Sequence, residues 1–219
     1  TPTTMAYYYP EGSKVYYSTT FAGAKTVSAV TNANPAVATS TSHGYVDLDP
    51  VLFNSGWEDA NNTIWEVDQQ TADTFQIEGL DSSSTTYYPA GTGTGTTQLV
   101  SAWTEVPQIL DISSTGGGPK YGTVSPLGRR NDIKTPIGFE AMSIDMGLGY
   151  DATNATWQAM LGITRTFTKV AIKIVVPGGG RLYGYGNLIA SEMVEISKGN
   201  ALKVKAAISL DGRMVGYGA

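Results

Sequence analysis

The sequence predicts an all-β fold, a sandwich or barrel, with one flanking α-helix. The 219 residues include 26 glycines and 13 tyrosines, and only 15% of the residues are charged. Such a composition favours strands and turns over helices. Short apolar segments separated by turn residues are typical of a small barrel or sandwich. The 41% of hydrophobic residues can form a packed core within one domain.

The first part of the chain contains several short predicted strands. Period-two alternation or β-branched residues mark them, and Gly, Asn, Asp and Pro separate them. The predicted strands cover residues 13–20, 25–31, 36–41, 51–53, 63–67 and 74–80.

The middle of the chain is rich in Gly, Ser and Thr. Residues 81–97 are predicted to be a loop, and 99–112 to hold one or two strands interrupted at Pro107. A second loop is predicted at 113–121 and a polar, basic one at 128–136, with a short strand between them. We expect the loops at 113–121 and 128–134 to be mobile in the free chain and to order on assembly.

The last third has the clearest pattern. Apolar residues occupy alternate positions over 140–148, which predicts a half-buried strand. Further strands are predicted at 165–176, 181–189, 202–210 and 213–217. The single helix is predicted near residues 153–162, capped by Asp151 or Thr153 and ended by Gly162.

The charges are divided unequally along the chain. Residues 1–112 contain 12 acids and 2 bases, whereas residues 113–219 contain 7 acids and 12 bases. Oppositely charged parts of identical copies can attract each other, which favours self-association. On charge alone, two solvated faces of one domain are the simpler interpretation. The net charge of −5 argues against a protein that holds nucleic acid through its phosphates.

The sequence offers little for catalysis. It has no cysteine, and its one histidine, His43, lies in a turn-like His-Gly pair without a serine elbow elsewhere. Asp47, Asp49, Glu58 and Asp59 could supply calcium ligands, but solvated turn acids are the better interpretation. We therefore predict no enzyme, no metal and no cofactor. A glycosidase pair of carboxylates stays open, because the fold sets their separation.

Tyrosine pairs suggest an alternative function. Residues 7–9, 16–17 and 87–88 could form aromatic platforms of a carbohydrate- or receptor-binding sandwich on a phage tail or another surface protein. Tyrosines also pack at sheet surfaces and subunit interfaces, and that is the more common role.

Two stretches resemble the phage major tail tube protein family of non-contractile, siphophage tails. Residues 20–84 resemble a small β module near the N-terminus of that family, most clearly at Asn34–Val37, His43–Gly44, Ser55–Trp57 and Thr71–Phe75. Residues 105–217 show the family order of strands, Gly-rich loop, basic loop and helix. Within them, Tyr150–Asp151 precedes the helix and Asp211–Gly212 ends a strand.

The resemblance implies a single tail-tube domain over 1–219, with the module at 20–84 and a core sandwich at 105–217. It implies a structural subunit of the virion that self-assembles into stacked hexameric rings, with neighbouring sheets joined into a continuous inner barrel. The tube would conduct DNA into the host without binding it specifically. Implied partners are other copies, the tape measure protein, and the tail terminator and distal tail proteins. Without a predicted signal peptide or membrane span, we expect assembly in the host cytoplasm. The inner tube of a contractile tail remains an alternative.

Candidate assembly residues come from charge and glycine content. We expect four lysines to lie on one sheet face and to meet acids of a neighbour, and we expect the Gly-rich and basic loops to contact adjoining rings. The lysines are Lys169, Lys173, Lys203 and Lys205. The loop residues are Gly116, Gly117, Gly118, Lys120, Arg129 and Arg130.

Overall fold

The computed structural model describes residues 11–218 of the chain. Strands make up 47% of it and helix 7%, which confirms the predicted all-β class with one α-helix. In chain order the strands are β1 Lys14–Ser18, β2 Thr20–Phe21, β3 Lys25–Val27, β4 Ala29–Val30, β5 Ala36–Thr39, β6 Pro50–Ser55, β7 Thr63–Gln69, β8 Thr74–Ile77, β9 Gly95–Ser101, β10 Thr104–Glu105, β11 Ile109–Thr115, β12 Pro119–Val124, β13 Ile133–Phe139, β14 Ser143–Gly149, β15 Lys169–Val175, β16 Arg181–Ala190, β17 Lys203–Leu210 and β18 Val215–Tyr217.

The N-terminal part of the chain forms a small closed barrel. Its sheet runs in the order β9-β6-β7-β8-β5-β4, and β3 pairs back onto β9. Only Ser28 separates β3 from β4, so this short stretch joins the two ends of the sheet. Closure leaves few free sheet edges in this module. The aromatic side chains of Phe53, Trp57, Trp65 and Phe75 fill its core.

The barrel extends beyond the predicted module end at residue 84. The predicted loop at 81–97 ends early, because β9 begins at Gly95 and lies between β6 and β3. A side chain at Gly95 would meet the carbonyl oxygen of Asn54 at 1.9 Å, so β6 requires glycine there. A residue that indicates a loop in the sequence therefore serves close strand packing here.

The second sheet is strongly curled. Its order is β10-β1-β15-β16-β17-β14-β11, with β18 also paired to β16. Its two edge strands, β10 and β11, are joined by residues 106–108 alone. Four backbone steps span about 14 Å at most, so the edges lie close together and the sheet forms an incomplete barrel. We call the gap between β11 and the β1–β15 side of the sheet the seam.

The helix α1, Ala155–Thr166, packs Trp157 and Met160 into the apolar core of the curled sheet. The predicted caps were wrong. Asn154 caps the helix by accepting a hydrogen bond from the Trp157 backbone N–H at 3.1 Å, whereas Asp151 accepts from Thr153 in the preceding turn.

The end of the helix also differs from the prediction. Gly162 lies inside α1, which stops at Phe167 in the left-handed conformation with φ of 51°. Because the helix runs to Thr166, the strand predicted from residue 165 starts only at Lys169. The strands predicted at 140–148, 181–189 and 202–210 are confirmed as β14, β16 and β17.

The loop predicted at 113–121 is largely strand, whereas most of the loop predicted at 128–134 is present as the irregular tip of a hairpin. β12 and β13 pair with each other as a two-stranded hairpin that belongs to neither large sheet. Its tip is formed by residues 125–132, and its base is joined to β11 and β14. Glycine density had suggested a flexible loop, but the glycines occupy the bend at the base of the hairpin.

The barrel packs on the outer face of the curled sheet. Leu52, Ile64 and Val100 from the barrel form an apolar cluster with Ala171 and Tyr183 from the sheet. No helix of the described residues is both long and apolar enough to cross a membrane.

A charged pair lies within this junction, with its carboxylate buried and its arginine side chain 32% exposed. Glu66 of β7 is 2% exposed and receives two hydrogen bonds from the Arg181 guanidinium, at 2.6 and 3.0 Å. The Tyr183 hydroxyl donates to the same carboxylate at 2.9 Å. The bidentate pair fixes how the barrel sits on the sheet.

Candidate functional site

The β12–β13 hairpin has one apolar face that contacts water. The register pairs Val124 with Ile133, and side chains alternate along each strand, so these two residues share a face. Ile137 joins them, because its Cγ2 lies 3.1 Å from where a side chain at Gly122 would begin. The three side chains are 57%, 37% and 61% exposed. The hairpin has no core of its own to cover this face.

The opposite face of the hairpin is polar. Tyr121 and Thr123 lie on it, together with Lys134 and Pro136. All of β13 and five of the six residues of β12 are exposed, so the hairpin projects from the body of the molecule. An isolated two-stranded hairpin is marginally stable in water, so this hairpin is a candidate surface for contact with a partner.

Glycines fix the direction in which the hairpin projects. Gly116 and Gly117 adopt positive φ values of 81° and 72°. A side chain at Gly116 would lie 1.9 Å from the carbonyl oxygen of Ala141, so the two chain segments cross too closely for any other residue. Gly118 accepts a hydrogen bond from the Glu140 N–H at 2.9 Å. These predicted loop residues therefore form a tight bend.

The basic residues of the predicted loops lie on the hairpin. Lys120 is in β12, and Arg129 and Arg130 are in the tip, where all three are exposed. The segment 119–139 has four bases and one acid, whereas the barrel segment 20–101 has one base and nine acids. The unequal charge along the sequence thus corresponds to two separate parts of the molecule.

The seam of the curled sheet is an apolar groove of about 650 Å³. β11 forms one wall, and six of its seven residues are exposed, including Leu110 and Ile112. Within the described residues, no strand pairs with the outer edge of β11. An exposed apolar edge strand is a typical site of strand addition by another chain.

The four predicted lysines share one face of the curled sheet. Lys169 of β15 is opposite Asn187 of β16, which pairs in turn with Ser209 of β17, and Lys173 lies on the same face of β15 as Lys169. Lys203 and Lys205 occupy odd-numbered positions of β17, as Ser209 does, and therefore share its face. The barrel covers part of this face.

Three of these lysines have partners within the chain. Lys169 pairs with Asp211, and that hydrogen bond raises the Lys169 pKa. Lys205 pairs with exposed Glu195 at 2.7 Å. Lys173 lies between the rings of Tyr16 and Trp103, 4.9 and 4.6 Å from their centroids, and burial lowers its pKa.

The comparisons with known proteins identify the family. The sequence model of "Phage tail tube protein, TTP" matches residues 55–219, which is most of the chain. The chain belongs to the phage tail tube protein family. It is therefore a structural subunit of a phage tail tube, which confirms the resemblance found in the sequence.

This tail tube protein was also compared with solved structures and with curated proteins. A hybrid structure of the SPP1 tail tube, from solid-state NMR and cryo-EM, matches with a TM-score of 0.42 and 11% sequence identity. The match covers 54% of this chain and 69% of that one. No curated protein matches the sequence.

The residues considered for catalysis have structural roles in this tail tube protein. His43 is 2% exposed, accepts the Tyr45 N–H at Nδ1 and contacts the Thr71 carbonyl at Nε2, 3.0 Å away, so the proton is on Nε2. Asp47 and Asp49 accept backbone hydrogen bonds in turns. The described residues contain no group of three or more His or acidic side chains that could hold a metal.

Neither of the two tyrosine pairs within the described residues forms an exposed aromatic platform. Tyr17 is buried in the core of the curled sheet, and Tyr88 packs against Trp57 at 5.1 Å between ring centroids. Residues 7–9 lie outside the described part of the chain. Tyr17 and Tyr88 therefore serve packing and Tyr16 lies under Lys173, whereas Tyr87 is exposed without a second aromatic ring beside it among the described residues.

Sequence reasoning missed the seam and the apolar face of the hairpin. The seam depends on how the sheet curls, which no local pattern reveals. The hairpin left a weak signal, because Val124, Ile133 and Ile137 are apolar residues inside a segment that glycine and charge mark as a loop.

Proposed function

We propose that copies of this tail tube protein form hexameric rings that stack into a hollow conduit for DNA. The observation that carries the proposal is the projecting hairpin, whose apolar face is not covered by any of residues 11–218. Such a face is stable in water only when another molecule buries it. In a tube of identical subunits, every copy can both donate a hairpin and receive one.

Charge supports contacts between neighbours within a ring. The barrel segment 20–101 carries eight more acids than bases, and Lys203 and Lys205 lie on a part of the sheet face away from the buried junction. We propose that these two lysines meet the acidic barrel of the next copy. Lys205 also has a partner in its own chain, but the Lys205–Glu195 pair is more exposed than Lys169–Asp211, and Lys173 is held between two aromatic rings, so Lys169 and Lys173 contribute less. The core sheets of neighbours would join into a continuous inner barrel.

The hairpin tip would contact the adjoining ring. Arg129 and Arg130 give the tip a positive charge, Lys120 adds a further cation near the base, and the bend at residues 116–118 sets the direction of the hairpin. Trypsin offers a direct probe, because both arginines are exposed in the free subunit. Cleavage after Arg129 or Arg130 in the free subunit and protection in the tube is the expected result. Equal cleavage rates in both states would contradict the contact.

The net negative charge suits a conduit in which DNA slides. Few exposed cations in the lumen would leave the phosphates of DNA unbound and able to pass. In this proposal the tube belongs to a non-contractile tail, contains a tape measure protein and ends at terminator and distal tail proteins. Assembly would take place in the host cytoplasm, and no catalytic step is assigned to the subunit.

Electron microscopy of the purified protein tests the proposal. At rising concentration, stacked rings with sixfold symmetry and an open channel are the expected result. Tails purified from virions should contain the chain as their main component and lack a sheath. A protein that stays monomeric at every concentration and is absent from tails would contradict the proposal.

A further inference from the structure

We infer that the seam of the curled sheet is the receptor for the apolar face of the β12–β13 hairpin from a neighbouring copy. The inference rests on the proposed tube, and it assigns both halves of one contact. Two unpartnered apolar surfaces on the same chain are thereby explained by a single interface.

The seam has the size and lining that such a segment needs. Its cavity of about 650 Å³ is within the range of roughly 300–1,000 Å³ that encloses a compact apolar group. Leu110 and Ile112 line one wall and Ile174 and Val176 another. Met142 and Met214 add long flexible side chains, which adapt to the shape of an incoming group.

Backbone geometry also favours a strand as the occupant. The outer edge of β11 is seven residues long and has no paired strand within residues 11–218. A strand of β12 or β13 is of similar length, with six or seven residues. Strand addition at this edge would satisfy its backbone groups while the apolar side chains enter the groove.

Charge complementarity selects the hairpin among the exposed segments. Asp111 lies at the seam, and Asp145 follows on the neighbouring strand β14. The hairpin brings Lys120 and Lys134 on strands of net positive charge. Basic side chains beside an apolar face thus meet acids beside an apolar groove.

Among the described residues, the hairpin lies away from the seam of its own chain, and none of its residues lines that groove. Its base bends at Gly116 and Gly117, where close contact with Ala141 and Met142 fixes the direction of projection. Every residue of β13 is exposed, so the hairpin makes no such contact in the free subunit. We therefore place the contact between copies, head to tail, an arrangement that generates either closed rings or open helical stacks.

Two matched pairs of variants test the contact. Ile137→Glu changes the apolar face of the hairpin, and Thr123→Glu changes the opposite face as its control. Ile112→Glu changes the seam, and Met193→Glu, at another exposed apolar position, is its control. Circular dichroism and thermal melting first establish that each variant is folded.

We expect Ile137→Glu and Ile112→Glu each to raise the concentration needed for tube formation at least about 30-fold, as loss of a central interface residue does. Both controls should assemble as the unchanged protein does. In an equimolar mixture of the two interface variants, Ile112→Glu still donates an intact hairpin and Ile137→Glu still offers an intact seam. Sedimentation should therefore show association in the mixture that neither variant shows alone.

The outcomes separate the two claims. Normal tubes from Ile137→Glu, or two blocked variants that do not associate when mixed, would overturn the contact while leaving the tube intact. An unchanged protein that forms no tube would overturn the proposed function itself.

Discussion

The N-terminal barrel and the curled sheet differ in how their edge strands are paired. The barrel closes on itself through β3 and β4, and its largest aromatic side chains are fully buried. The curled sheet stops short of closure and leaves β11 and its apolar side chains exposed. The comparison teaches that one module closes within a single chain, whereas the other keeps an open edge, which further copies would complete in the proposed tube.

The junction lets the complete module support the incomplete one. The Glu66–Arg181 pair and the cluster around Tyr183 attach the barrel to the outer face of the sheet. Tyr217 of the last strand donates to the Glu78 carbonyl and accepts the Glu66 N–H, both at 2.9 Å. The C-terminal strand therefore ties both modules together.

Truncating one phenylalanine in each region tests whether the barrel and the hairpin differ in their contribution to stability. Phe53 is fully buried in the barrel, and Phe139 at the base of the hairpin is 81% exposed. Phe53→Ala should lower the free energy of unfolding by about 3–5 kcal/mol, because it opens a cavity. Phe139→Ala should change it by less than about 0.5 kcal/mol. Urea unfolding of the monomer measures both, and similar losses at the two sites would contradict the comparison.

Removing one partner of the Glu66–Arg181 pair tests the junction. Arg181→Ala leaves the Glu66 carboxylate buried without its cation and should lower the free energy of unfolding by about 3–5 kcal/mol. Arg165→Ala, at the exposed pair with Glu192, is the matched control and should cost about 0–1 kcal/mol. Equal effects in chemical denaturation would mean that the Glu66–Arg181 pair does not hold the modules together.

Charge reversal on the lysine face should lower the stability of the monomer less than the two changes above. In the Lys169→Glu/Lys173→Glu variant a carboxylate would lie between the rings of Tyr16 and Trp103, and Asp211 would face a second acid. We expect the monomer to remain folded but to lose about 1–3 kcal/mol of stability. Lys203→Glu should leave the monomer unchanged and weaken assembly. Thermal melts and sedimentation of both variants distinguish these roles.

Raising the pH above 10 should lower the stability of the subunit gradually. Burial raises the pKa of Tyr183 and of Tyr217 above the usual value near 10, and for Tyr183 the hydrogen bond to Glu66 raises it further. A raised folded-state pKa contributes stability that is complete below about pH 10 and is lost as the pH rises towards the folded value. Each tyrosine should reduce stability by up to about 1.4 kcal/mol per pH unit in that window.

Phenylalanine variants check the alkaline effect. The Tyr183→Phe/Tyr217→Phe variant should flatten the decline between pH 10 and 12, while Tyr87→Phe, at an exposed position, should leave it unchanged. An unaltered slope in the double variant would show that other groups cause the decline.

Alternation made much of the curled sheet predictable. In β14 and β17 every second residue is apolar and buried, so periodicity alone located both strands. Glycine caused the main errors in predicting loops. Gly95 and Gly116 lie where two chain segments cross closely, but in the sequence they look like loop residues. The family-like order of segments led to the correct family. The seam could not be predicted, because it arises from residues far apart in sequence that meet only when the sheet curls.

The most direct test of the account is to remove the hairpin and leave the rest of the chain intact. Residues 119–139 would be replaced by a short Gly-Ser link, and sedimentation velocity would compare this variant with the unchanged protein. We predict that the unchanged protein forms large tubes, while the variant remains a folded monomer with the same melting temperature. Tubes of normal size from the variant would contradict the claim that the incomplete sheet is completed by the hairpins of other copies.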